Sequence, residues 1–148
     1  MISAINAYLA LLNEKPEKEA SRLAKLCEVL DALPVEYHRA PNVEPDTLDV
    51  SASVPYEPFA IRALASFPEL GHYAVVDPLE GVDQEVILGD AIDDLADIAR
   101  DLSGVLLLIE KGAINDAIWD FRFGYETHWG VHLHQLRSYL HSIMRRFG

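Results

Sequence analysis

Two stretches of this sequence hold residue types that can do chemistry together. In the first, Asp90, Asp94, Asp97 and Asp101 step by 4, 3 and 4, so on a helix all four carboxylates share one face. In the second, Trp119-Asp120-Phe121-Arg122-Phe123 leads into Glu126, His128, Trp129, Gly130 and His132. His128 and His132 stand four apart, one helical turn, where two imidazoles can clamp a single ion. Neutral imidazoles and carboxylates on facing helices suit a divalent cation. Asp94, Asp97, His128 and His132 are therefore the candidate metal ligands, and no other cofactor is called for.

Such a site needs two long helices side by side. Ile92, Leu95, Ala99, Leu102, Leu106 and Ile109 step by 3 and 4, which predicts an amphipathic helix. Gly112 is placed to cap it. A last helix is expected from about Ala113, with Trp129, Leu133, Leu136, Leu140, Ile143 and Phe147 continuing the alternation. Arg145 and Arg146 in its final turns suit the negative end of the helix dipole. The short turn at Gly112 makes the two an antiparallel hairpin, in which facing residue numbers sum to about 225 within a turn. That places Asp97 near His128, Asp94 near His132, and Asp101 near Arg122 or Tyr125.

The candidate polar cluster is thus Asp94, Asp97, Asp101, Arg122, Glu126, His128, Trp129 and His132. Its plainest reading is structural, with histidine–aspartate hydrogen bonds and a buried Arg122 pair fixing the register of the helices. On that reading Arg122, set among Trp119, Phe121 and Phe123, is bonded to Asp97, Asp101 or Glu126, and added metal leaves stability unchanged. Gly124 and Gly130 inside a helix each cost about 1 kcal/mol against alanine. Close packing beside the tryptophans is the expected compensation.

The rest of the chain must build the scaffold. Ile2, Ile5, Leu9 and Leu12 predict a short first helix up to about Asn13. Pro16 suits the first turn of a second helix, whose stripe of Leu23, Leu26, Cys27 and Leu30 is expected to stop at Pro34. Residues 34–55 carry four prolines and read as a loop draped over the core, anchored by Val43, Leu48, Val50 and Val54. Pro58 opens a third helix and Pro68 closes it. Residues 69–88 read either as an extended run at His72–Val76 or as a helical turn. The expected architecture is one all-α domain over 1–148, a compact bundle of about five helices with a long acidic/basic C-terminal hairpin.

Composition narrows the function classes. Half of the residues are hydrophobic and the net charge is −12, so the chain is globular rather than disordered. A field of that sign repels phosphate backbones and anionic lipid, which disfavours nucleic acid and membrane and points to another protein as partner. The longest apolar run, Val105–Ile109, is too short to span a bilayer. The one cysteine, Cys27, sits on an apolar stripe and suits a reducing, cytoplasmic setting. The charge is also uneven. Asp77–Asp101 holds nine acids and one base, while Phe121–Gly148 holds one acid, four arginines and four histidines.

Several motifs resemble known families to different degrees. Asp93-Asp94-Leu95-Ala96-Asp97 has the D-D-x-x-D form of helical prenyl synthases but lacks a second acidic helix. Glu14-x-x-Glu17 and Glu28-x-x-Asp31 echo helical nucleotide pyrophosphatases but lie along one helix. Arg122-x5-His128 fits the loose arginine–histidine spacing of HEPN-type ribonucleases, in which the arginine would stabilise phosphate charge and the histidine move protons. With eight Arg and six His in 148 residues, roughly one such spacing arises by chance. The broader likeness is carried by Leu70-Gly71-x-Tyr73, Asp77-Pro78, Gly89-Asp90, Asp93-Asp94-Leu95-x-Asp97-Ile98, Trp119-x-Phe121-Arg122-Phe123, His128-Trp129-Gly130-x-His132 and Leu136-Arg137. Over about 56–148, and more loosely before that, these resemble a bacterial family known only as a domain of unknown function. The resemblance implies a small helical protein and transfers no activity or catalytic residue. The sequence therefore favours a non-enzymatic protein-binding or regulatory module. The alternative is an enzyme with a metal-dependent or HEPN-like site on the C-terminal hairpin.

Overall fold

The computed structural model describes residues 1–14, 19–47 and 52–147. Among them are helices α1 (Ile2–Leu11), α2 (Glu19–Arg39), α3 (Glu57–Ser66), α4 (Ala91–Glu110), α5 (Ile114–Thr127) and α6 (Trp129–Phe147), with strands β1 (His72–Val75) and β2 (Ile87–Asp90) between α3 and α4. The molecule is mostly helical, and one hydrophobic core takes residues from every helix. The centre is α4, which packs against α1, α3, α5 and α6. Ala91, Leu95, Ile98, Ala99, Leu102 and Val105 form its buried stripe.

Both ends of α4 follow from local chemistry. Asp90 closes β2 and turns its carboxylate onto the backbone N–H groups of Ile92 at 2.9 Å and Asp93 at 3.4 Å, satisfying donors the helix cannot pair itself. At the other end Gly112 takes φ +78°, the left-handed conformation that lets a helix turn sharply into the next. The strands form a two-stranded antiparallel ladder, His72 opposite Asp90 and Val75 opposite Ile87. Residues 72–75 therefore take the extended alternative rather than the helical turn.

Three expectations are corrected by the tertiary structure. The single last helix is two helices, broken at His128 with φ −144° and ψ −86°. The break lets Trp129 turn into the core, where it meets Phe121 and Tyr125 at ring-centre distances of 5.1 Å and donates its indole N–H to the Phe121 carbonyl at 3.1 Å. Glycine is required on both sides. A Cβ on Gly130 would lie 2.0 Å from the Tyr125 carbonyl oxygen, and one on Gly124 would lie 2.6 Å from the Trp129 ring. Close packing is thus the compensation for both glycines.

The second correction is Pro34, which does not end α2; the helix continues to Arg39. An interior proline removes one helical bond and costs about 3 kcal/mol. Buried Leu33 and the Tyr37 ring, stacked on Tyr125 at 4.0 Å, offset that loss. The third is the segment after α2, which is shorter than 34–55. It is tied down at Asp116, whose buried carboxylate accepts the Asp46 and Thr47 N–H groups at 2.6 and 3.1 Å and the Thr47 hydroxyl at 3.0 Å. Val54 packs against the core and Val43 is half-buried. Pro16, Leu48 and Val50 lie outside the described residues.

Candidate metal centre

Helix α4 presents Asp94, Asp97 and Asp101 toward the break and first turn of α6, which supply His128 and His132. Asp94 is buried, 3% exposed, and its second oxygen accepts the Tyr73 hydroxyl. Its first oxygen lies 2.7 Å from Nδ1 of His132. Asp101 lies 2.6 Å from Nδ1 of His128. An ionised carboxylate only accepts, so each Nδ1 is the donor, and in the neutral imidazole Nε2 then keeps its lone pair. The two rings meet edge to face with centres 4.8 Å apart. Nε2 of His132 is 3.6 Å from Oδ2 of Asp97. One donor atom from each of Asp97, His128 and His132 falls within 4.8 Å of the other two.

The surroundings set the charge states. His132 titrates above its ordinary value, first because of the Asp94 hydrogen bond, against the opposing pull of burial. The Asp97 carboxyl is raised by burial, although Arg100 at 2.9 Å pulls the other way. Burial, then the bond to Asp94, pushes the Tyr73 phenol far above its usual range, so it stays a donor. Next to the cluster a polar cavity of about 400 Å³ is bounded by Ser53, Arg100, Asp101, Asp120, Thr127 and His128. Burial and the nearby Asp101 push the Asp120 carboxyl up to about 6.

The expected pairing of Asp94 with His132 is present, and Asp97 has a donor atom within 4.8 Å of one on His128, as expected. Asp97 also faces His132, and Asp101 takes His128 rather than Arg122 or Tyr125, a shift of about one turn. Three further residues of the candidate cluster lie elsewhere. Arg122 points away from α4, donating to the Tyr37 and Ala40 carbonyls at the end of α2, at 3.2 and 3.0 Å. Its carboxylate partner is Glu126 at 3.7 Å, one of the three expected, and its guanidinium lies 4.7 Å from the centre of the Tyr37 ring. Glu126 is half-exposed and accepts the Tyr37 hydroxyl at 2.7 Å. Trp129 is wholly buried in the core. The arginine–histidine spacing of a HEPN site is therefore not a site geometry here, since Arg122 and His128 bond on different sides of α5.

Sequence reasoning passed over Tyr73, Arg100 and Asp120. Tyr73 had no local signal, because only the pairing of β1 with β2 carries it to Asp94. Asp120 had one, as the lone acid among Trp119, Phe121 and Phe123.

Comparison with known proteins fits this picture at the level of fold. The family model described as Domain of unknown function (DUF5063) matches residues 2–145. The chain belongs to that family. The match takes in the first two helices fully, where the sequence motifs alone were looser. Among solved structures, the crystal structure of protein BF1032 from Bacteroides fragilis is similar with a TM-score of 0.73 and 15% sequence identity, over 97% of this chain and 91% of that one. At that identity the likeness is one of fold. No curated protein matches the chain. No described helix of this DUF5063 chain is long and apolar enough to cross a membrane.

Proposed function

We propose that this protein binds one divalent transition-metal ion between α4 and α6. Asp97, His128 and His132 would be the ligands, with Asp94 and Asp101 as the carboxylates behind the imidazoles. The observation that carries this reading is that each histidine sets Nδ1 against an α4 aspartate while one donor atom from each of Asp97, His128 and His132 falls within 4.8 Å of the other two. Metal-binding histidines are held in this way, and the outer carboxylates fix the tautomer and raise ligand basicity. Two imidazoles and one carboxylate suit Zn²⁺ or Fe²⁺.

Three protein ligands leave a coordination position for water, as in catalytic rather than structural zinc sites. The adjoining polar cavity contains Asp120, raised to about 6, a value suited to moving protons near neutral pH. These features favour the metal-dependent reading over a purely structural histidine–aspartate network, with metal-assisted hydrolysis as the chemistry the donor set serves. The single buried thiol of Cys27 supports a reducing, cytoplasmic setting.

Proton and metal compete for Nε2, so affinity falls on acidification. Thermal melts from pH 5.5 to 8.5, with chelator and with added Zn²⁺ or Mn²⁺, test the proposal. The expected result is a metal-dependent rise in Tm near pH 7.5 that vanishes in His128→Ala. A wild-type Tm indifferent to every added ion overturns it.

A further inference from the structure

A second feature lies on the far side of Tyr73 from Asp94 and uses none of the proposed metal ligands. Between β1 and α6 runs an open groove of about 770 Å³, within the range of binding pockets. One wall is β1 and the residue after it, with Tyr73, Ala74, Val75 and Val76 all lining the space. Side chains of successive strand residues alternate between faces, so four consecutive lining residues mean that the groove borders the strand's edge. That edge is open. The sheet has only two strands, β1 pairs with β2 alone, and among the described residues the 73–76 backbone has no other backbone partner.

The opposite wall is a ridge of α6, His134, Ser138, Ser142 and Arg146, recurring every fourth residue. Twelve residues of helical rise cover about 18 Å, which matches five or six residues of extended chain. The groove's charge is of one sign. In a protein of 24 acids and 12 bases, no acid lines it, while Arg146 does and forms no ion pair among the described residues. Beside it the hairpin exposes Val76, Leu79, Val82, Val86, Ile87 and Leu88, a concentration of bare apolar side chains that marks an interaction surface.

We infer that this groove takes an extended peptide segment of a partner protein, added as a third strand on β1, with an acidic side chain at the end that reaches Arg146. Main-chain pairing would supply affinity, and the Arg146 end would set direction and selectivity. The net charge of −12 opposes a second copy of the chain in this place, since like-charged protomers repel.

Fluorescence anisotropy with short labelled peptides of alternating valine and threonine tests this on the full chain. Three probes are needed: one ending in glutamate, one ending in lysine, and the glutamate peptide N-methylated at alternate amides. The glutamate probe is expected to bind, the lysine probe about tenfold more weakly, one charge contact at about 1.4 kcal/mol per factor of ten, and the methylated probe not at all. Arg146→Glu should reverse the charge preference, with only a small fall in melting temperature from the charge reversed at the helix C-terminus. Equal binding of all three probes, no binding of any, or an unchanged preference in Arg146→Glu overturns the proposal. So does a solution dimer that excludes the peptide, since a second copy would then fill the groove.

Discussion

Asp94→Asn probes the hydrogen bond behind the proposed metal centre while preserving side-chain shape. The wild-type carboxylate is 3% exposed and accepts from the Tyr73 hydroxyl and His132 Nδ1. Hydrogen bonds to a buried charge contribute about 1.5–3 kcal/mol each. Asparagine keeps one acceptor and loses the charge, so the expected cost is about 2–4 kcal/mol at pH 6. The pH profile should change as well. His132 titrates above its unfolded value chiefly through this bond. A raised folded value means that its stabilisation is complete below about pH 6.5 and is lost as pH rises through the folded value. Asp94→Asn should remove that loss, so the difference in stability between mutant and wild type narrows toward pH 8.5. In the metal assay, isothermal titration with Zn²⁺ at pH 7.5 should show affinity 10- to 100-fold weaker, the usual effect of losing an outer-shell carboxylate. Urea melts across this pH range read the first arm. A mutant with the wild-type pH profile and the wild-type zinc affinity would refute the role given to Asp94.

Other perturbations have defined signs. Arg122→Ala removes two bonds to the α2 carbonyls and the contact with the Tyr37 ring, and should cost about 2–4 kcal/mol in denaturant melts. Glu126→Ala should cost less than about 1 kcal/mol, because its pairing with Arg122 is half-exposed; equal costs would return the weight to the ion pair. Asp120→Asn should stabilise the protein at pH 8 by about 1–3 kcal/mol after allowance for partial solvent screening. The folded carboxyl is raised to about 6, so its favourable state is present at acid pH and lost as pH rises through 6; no gain should appear at pH 4. Gly130→Ala should destabilise by about 1–3 kcal/mol through overlap with the Tyr125 carbonyl, whereas Gly81→Ala, with nothing within 4 Å, should be near neutral.

The sequence alone determined that the chain is helical, where α4 lies, and that α4's acids meet the histidines. Those features have a local cause. Apolar residues at steps of 3 and 4 define a face, the same spacing puts Asp94, Asp97 and Asp101 on one side, and a left-handed Gly112 dictates an antiparallel return. Register then follows from helical geometry to about a turn, which is why Asp94 and His132 were paired correctly. The remainder depended on contacts between residues far apart in the chain. Nothing near Arg122 could reveal that the carbonyls ending α2 compete for its guanidinium more successfully than the carboxylates of α4. The break at His128 exists because Trp129 gains more from the core beside Phe121 than an unbroken helix would retain. Pro34 stays inside α2 because packing of Leu33 and Tyr37 outweighs one missing backbone bond. Tyr73 becomes a partner of Asp94 only once a two-stranded ladder, too short to show a strong pattern of its own, sets β1 beside α4.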